Sequence, residues 1–307
     1  PFDGVDALPD SLVGAVEELL VERFGPGWPD GETGARLRGA IREFKERYLH
    51  GATVTYDEVT ALGYAVYHLP PYFAGIQYVL ADLAAEGLVS RHLRVLDVGA
   101  GVGGPALALA SLVGPDALLE YHAVEPSAAA DVLQGLLAET GRNVHTTVHR
   151  EPVERFEPPL EAFDLVLFSN VLSELDDPAA QVERALGWLD PAGSVVLLAP
   201  ADRNTAISLR EVERAVEDAT DATVYAPTAR LWPHEQPAST SWSFNRKPAL
   251  DVPAFQRRLD ESERTPAERA ENEGSTGDEG QEGDDGDGEF PRWIAGGHRS
   301  GLVTTVR

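Results

Sequence analysis

Arg94-Val-Leu-Asp97-Val-Gly99-Ala-Gly101-Val-Gly103-Gly104 sets an acid near the end of an apolar run and a glycine-rich turn directly behind it. Such a segment reads as a strand feeding a tight turn into a helix. Its glycines let the backbone turn without Cβ clashes and pass close to a ligand. The spacing of Gly99, Gly101 and Gly104 also satisfies the dinucleotide pattern, so the turn alone does not choose between nucleoside ligands. Asp97, two residues before the first glycine, suits a cationic amino-acid group far better than a pyrophosphate. That favours S-adenosylmethionine (SAM) over a nicotinamide dinucleotide. Asp97, Gly99, Ala100, Gly101 and Gly103 are therefore candidate cofactor-binding residues. Glu125 joins them from the end of the next apolar run, where an acid accepts hydrogen bonds from both ribose hydroxyls.

The rest of the chain supports this frame. From about residue 91, short apolar runs at Leu93–Val98, Leu118–Val124, Val144–Val148, Leu165–Phe168 and Val195–Ala199 alternate with helical stretches. Alternation of this kind indicates a parallel sheet covered on both faces. Thr223–Tyr225 is a candidate sixth strand. The fold expected is α/β, a Rossmann-like SAM-dependent methyltransferase with an N-terminal helical extension. Residues 1–90 form that extension, with Leu37, Ile41, Phe44 and Tyr48 at helical spacing. Thr55 and Glu58 there have the spacing of a capping box, and Pro70-Pro71 breaks the chain before a fourth helix. Residues 91–260 form the Rossmann-like domain with an irregular C-terminal segment. Between Glu261 and Glu289 twelve acids face two arginines, which predicts a disordered acidic linker. A tail, 290–307, carries a short apolar piece (Leu302, Val303, Val306) suited to a sheet edge.

Charge and composition narrow the setting. There are 51 acidic residues against 25 basic ones, a net charge of −26, and only Lys45 and Lys247 among the basic residues are lysine. An acidic surface with arginine in place of lysine resembles proteins of salt-loving archaea, in which carboxylates keep the surface hydrated. In about 1 M salt the screening length is roughly 3 Å, so such a chain can still approach an acidic polymer. With no cysteine, disulfides, thiolate metal sites and cysteine nucleophiles are excluded. No apolar run reaches the roughly 18 residues of a membrane span, and no leader-like segment opens the sequence, so a cytoplasmic protein without a membrane partner is expected.

The fourth apolar run leads into Ser169-Asn170-Val-Leu-Ser-Glu174-Leu175. Asn170 is a candidate contact for the methionine part of the cofactor, and Ser169 or Glu174 can face a methyl acceptor. Equally, Ser169 and Asn170 can cap the next helix. The segment is not the Asn/Asp-Pro-Pro-Tyr type that grips an exocyclic base amine. No general base is evident and the catalytic residue stays unknown; positioning alone can carry much of a methyl transfer. His145 and His149 lie four apart on a strand, some 13 Å from one another, which argues against a metal pair.

Several motifs together carry a more specific likeness. His68-Leu-Pro-Pro-Tyr72-Phe-Ala-Gly-Ile, Val95-Leu-Asp-Val-Gly-Ala-Gly, Val124-Glu-Pro-Ser127, Ser169-Asn-Val-Leu-Ser-Glu-Leu175 and Tyr225-Ala-Pro227 resemble the methyltransferase-like proteins associated with the mitochondrial small ribosomal subunit, and their bacterial and archaeal relatives. The resemblance covers about residues 60–260. It implies a Rossmann-like fold, a SAM site, and a role in assembly of, or translation by, the small ribosomal subunit, with the subunit or its rRNA as partner. Many members carry cysteines after the sixth strand, tied in the mitochondrial proteins to an iron–sulfur cluster. Here Thr228 and Ser243 stand in that region, so a thiolate-bound cluster is impossible. Apolar packing by Trp232, Trp242 and Phe244 would have to replace it. Arg246-Lys247 and Arg257-Arg258 become candidate phosphate contacts, with ion pairs to carboxylates as the alternative. A non-catalytic SAM-binding assembly factor and a small-molecule SAM methyltransferase remain alternative readings.

Overall fold

The computed structural model describes residues 7–49, 55–159, 162–200, 203–226, 252–263 and 302–306. Of the acidic linker expected over 261–289, only residues 261–263 are described, Glu261 closing a helix and Glu263 pairing with Arg42; the rest of it, with Trp232, Trp242, Phe244, Arg246-Lys247, Thr228 and Ser243, lies outside the described residues.

Four helices open the chain: α1 (Asp10–Phe24), α2 (Gly31–Leu49), α3 (Glu58–Tyr67) and α4 (Leu69–Ala85). The third does not start on the Thr55 capping box. Asp57 is its cap, and its side chain accepts from Thr60 N at 2.8 Å. A carboxylate is at least as good a cap as a threonine hydroxyl and also meets the positive end of the helix dipole. The break before α4 falls at His68, with the prolines inside the first turn, where a missing N–H costs nothing.

Strands and helices then alternate: β1 (His92–Val98), α5 (Gly104–Leu112), β2 (Leu118–Val124), α6 (Ala129–Leu137), β3 (Val144–His149), β4 (Phe163–Ser169), α7 (Pro178–Leu186), β5 (Leu189–Ala199), α8 (Arg203–Ala219) and β6 (Val224–Ala226). A short helix α9 (Ala254–Glu261) and a last strand β7 (Leu302–Val306) complete the described elements. The sheet order is β3-β2-β1-β4-β5-β7-β6, with β1 to β5 parallel. β7 pairs antiparallel with both β5 and β6. The apolar tail piece is therefore not an edge strand but an interior one. It inserts where a doubly wound Rossmann sheet would set β6 beside β5.

Strand alternation sorts the core into two layers. Leu93, Val95, Leu119, Tyr121, Leu165 and Leu167 face α4, α5, α6 and the N-terminal helices. Leu96, Val98, Val166, Phe168, Val195 and Leu197 face the opposite layer, with buried Val182 and Ala185 of α7 and Leu209 and Val212 of α8. Burying each large apolar side chain stabilises by roughly 2 kcal/mol, so both faces are held strongly. α9 returns to the N-terminal helices. Tyr67 donates to Asp260 at 2.6 Å, and Arg38 donates to the Leu259 carbonyl at 2.8 Å. Arg258 pairs with Glu17 and lies over Trp28, 5.4 Å from the ring centroid, so it is an ion-pair residue rather than a phosphate contact.

Between β3 and β4 no helix occurs among the described residues; Val153 and Phe156 plug the gap. Arg184 of α7 holds that plug by donating to the Val153 carbonyl at 2.9 Å and to the Phe156 carbonyl, while its guanidinium lies 4.9 Å from the Trp188 ring. Arg184→Ala strands two carbonyls and removes the ion pair with Glu157, 3.2 Å away, at once. It is expected to destabilise the fold by about 2–3 kcal/mol, read as a lower urea midpoint at unchanged slope.

Candidate functional site

The carboxyl ends of β1, β2 and β4 meet at one mouth, and the strand register brings their last residues together: Val98 pairs with Val124 of β2 and with Phe168 of β4. The chain turns there through Gly99 (φ +68°), Gly101 (φ +54°) and Gly103 (φ +94°). Two of these glycines make room for the protein itself. A Cβ on Gly99 would sit 2.3 Å from Val171 Cγ2, and one on Gly103 would sit 2.4 Å from Leu133 Cδ1. A Cβ on Gly101 would meet nothing within 4 Å. Gly101 is thus the point at which bare backbone faces open space. Ala100 follows the strand into the turn, buried, with its N–H on the Val124 carbonyl.

Asp97 is fully buried on the face of β1 that the N-terminal helices cover. Its Oδ2 accepts from the Tyr121 hydroxyl at 2.6 Å, while Oδ1 accepts no hydrogen bond among the described residues. Burial raises its pKa to about 7, the nearby Glu125 adds to the rise, and the Tyr121 bond opposes it. A buried carboxylate with one vacant oxygen and no ion-pair partner is costly. Such a group is suited to a cation from outside.

Glu125 is buried too and points back at the turn. Its Oε2 accepts from Gly101 N and its Oε1 from Ser127 N, both at 2.9 Å. A carboxylate offers about four lone-pair positions, so about two are left for further donors. That is the capacity a vicinal hydroxyl pair needs.

Asn170, directly after β4, has φ +61° and is the one described non-glycine residue with positive φ. Its N–H is tied to the Leu198 carbonyl at 2.8 Å. The capping alternative fails here. The next element is a single 3₁₀ turn, Leu172–Glu174, flanked by Val171, with no side-chain cap. A left-handed asparagine held by its neighbours is the kind of backbone that clusters at functional sites.

The N-terminal helices form the facing wall. A Cβ on Gly104 would lie 3.6 Å from Tyr72 Cβ, and the Tyr56 carbonyl accepts from Ala128 N at 3.3 Å. The two aromatics thus flank the glycine turn and the start of α6. Tyr64 and His68 fill the row between them, with successive ring centroids 4.6–5.9 Å apart. Burial lowers the His68 pKa to about 4, so its ring is neutral. Across the mouth, the Tyr56 hydroxyl donates to Glu174 Oε1 at 2.9 Å. Glu174 reaches the surface, yet the packed wall withdraws solvent from its carboxyl, and with Glu125 nearby its pKa rises to about 7.

Tyr121 and Tyr56 are the contributors that motif reading missed. Tyr121 had a signal, since strand alternation sets it on the Asp97 face through the Val95–Tyr121 register. Tyr56 had none, being 118 positions from its partner. His145 and His149 do not come together; His149 Nε2 lies 3.0 Å from Nδ1 of His122 in a stacked pair. Among the described residues no group of three or more metal-ligating side chains occurs. Nor is any described helix long and apolar enough to cross a membrane.

A family described as a methyltransferase domain matches residues 96–195, a stretch running from β1 into β5. Among solved structures, a provisionally assigned S-adenosyl-L-methionine-dependent methyltransferase from Methanococcus maripaludis is similar, with 13% identity and a TM-score of 0.46, over 56% of this chain and 88% of that one. A SAM-dependent methyltransferase from Aquifex aeolicus gives 19% identity and a TM-score of 0.45, over 55% of this chain and 90% of that one. The CcbJ methyltransferase from Streptomyces caelestis is matched over 48% of its length and 42% of this chain, at 21% identity and a TM-score of 0.31. No curated protein matches the sequence. The matched stretch encloses the glycine turn and both of its buried acids, so residues 96–195 carry a methyltransferase domain, set in a Rossmann-like α/β fold.

Proposed function

We propose that this domain transfers a methyl group from SAM to a component of the small ribosomal subunit, its rRNA first among them. The observation that carries the cofactor half is the vacant Oδ1 of buried Asp97 beside the open space over Gly101. In this reading Asp97 takes the ammonium of the methionyl group and Tyr121 fixes the carboxylate that does so. Gly99, Ala100, Gly101 and Gly103 bring the backbone against the nucleoside, Glu125 accepts from the ribose hydroxyls, and Asn170 touches the methionyl part. Bound SAM supplies an electrophilic methyl group; the chain holds it in line with the acceptor, keeps water away with the Tyr56–Tyr72 wall, and leaves much of the rate to positioning.

The ribosomal half rests on the likeness of His68–Tyr72 and Ser169–Leu175 to the ribosome-associated proteins. Both motifs line the same mouth, so they bear on one site rather than two. The test uses the purified chain in concentrated KCl. Binding of SAM and S-adenosylhomocysteine (SAH) is measured by calorimetry, and labelled methyl incorporation is then followed into small subunits from a strain lacking the gene. Incorporation into one rRNA position, absent in that strain, is the expected result. Unmodified rRNA alongside firm SAM binding would instead mark a non-catalytic assembly factor. Methylation of a metabolite fraction with no association with subunits would overturn the ribosomal half.

A further inference from the structure

Three acids line the mouth. Asp97 closes its floor, Glu125 grips the glycine turn, and Glu174 faces them from beyond β4. Among the described residues no lysine or arginine pairs with any of the three. The other groups facing Glu174 are Tyr56 and Glu125, with Tyr72 and Tyr64 next in the row, and none is cationic. Lys45 of α2 comes near that row at His68, and its charge helps keep that ring neutral. In a chain with so many surface carboxylates an acidic cluster alone means little. Here it surrounds a fully buried aspartate whose second oxygen is vacant.

The cofactor and its product differ at this mouth by one charge. SAM carries a sulfonium; SAH has lost the methyl and is a neutral thioether at that atom. Asp97 and Glu125 are both spoken for in either ligand, by the ammonium and the ribose, and both ligands share those groups. Glu174 is the acid left over. It is tied to the protein by a single side-chain bond, from a residue of the opposite wall. We propose that Glu174, held by Tyr56, completes an anionic mouth that senses the sulfonium charge, so that the site binds SAM in preference to SAH. The selectivity favours release of the product once the charge is gone. It rests on the assignment of the mouth to SAM.

Three ligands separate the possibilities in calorimetry on the full chain at pH 8, where the Glu174 carboxyl is mostly ionised. These are SAM, SAH, and sinefungin, whose ammonium restores a positive charge near the sulfonium position. The wild type is expected to bind SAM and sinefungin about tenfold or more tighter than SAH, the scale left to one nearby unit charge after screening. In Glu174→Gln that preference falls about tenfold, while SAH affinity moves less than about twofold. Tyr56→Phe, which keeps the ring but frees the carboxylate, falls between. The retained SAH affinity, with an unchanged melting temperature, shows that the variants are folded. Equal weakening of all three ligands would make Glu174 a structural contact and overturn the proposal, as would an unchanged ratio. Failure of the wild type to bind any of them would overturn both this proposal and the cofactor site.

Discussion

Asp97→Asn is expected to make the ligand-free chain more stable at pH 8 and, in the same protein, to weaken SAM binding by roughly 10–100-fold. The two effects have one cause. The Asp97 carboxyl titrates at about 7 in the fold against an ordinary 3.8. The folded state therefore holds its proton more tightly than the unfolded state. The stability this proton confers is complete below about pH 4 and is lost as pH rises through 7. Over that window the loss is about 4 kcal/mol, at roughly 1.4 kcal/mol for each pH unit crossed. An asparagine keeps the acceptor for Tyr121 and never ionises, but it turns the vacant oxygen into a buried NH₂ without a partner, at a cost of about 1–3 kcal/mol. The net gain at pH 8 is about 1–3 kcal/mol, and at pH 4 the variant is the less stable of the two. Urea melts at both pH values, with calorimetry of SAM binding at pH 8, measure it. A variant less stable than the wild type at pH 8 would mean that the carboxylate is not held under strain.

Gly99→Ala and Gly101→Ala are expected to fail in different ways, although both put a methyl on a left-handed glycine of one turn. At Gly99 the new Cβ meets Val171 Cγ2 at 2.3 Å and Val171 Cβ at 2.8 Å. A β-branched side chain has little rotamer freedom with which to retreat. Backbone strain of about 1–2 kcal/mol adds to a clash of about 1–3 kcal/mol, so the fold loses about 2–5 kcal/mol and ligand binding goes with it. Val171→Ala in the same chain restores only part, because the Val171 Cβ that remains is itself too close. At Gly101 nothing lies within 4 Å. That variant loses about 1–2 kcal/mol from φ alone, melts almost as the wild type does, and loses SAM affinity because its methyl occupies ligand space. Denaturation midpoints and SAM affinities of both variants, measured together, separate the two cases. A Gly101→Ala protein that still bound SAM normally would remove Gly101 from the site.

These contrasts show where sequence reading holds and where it stops. The turn from Asp97 to Gly103 was legible because its meaning is local: acid, strand end and glycines follow one another within a few residues. Glu125 was legible because it ends the strand next in the chain. What Asp97 is bonded to was not, since the Tyr121 contact requires the two strands to be in register. The Tyr56–Glu174 bond depends on how α3 packs over the mouth, and no spacing rule reports that. Thr55 against Asp57 as the α3 cap is a choice between two neighbouring oxygens, settled by where the first helical turn meets its surroundings. β7 was visible as an apolar piece, but its slot between β5 and β6 follows from which edges the rest of the sheet leaves open.

That slot bears on how the molecule comes into being. β5 finishes at Ala199 and β6 at Ala226, yet both wait for hydrogen bonds from residues 302–306. During synthesis the ribosome must make roughly a hundred more residues after β5 before its free edge is covered, and at about 5–20 residues per second that lasts for seconds. For that interval the nascent sheet shows an open edge of Val195, Val196, Leu197 and Leu198, the sort of surface that pairs with a second chain.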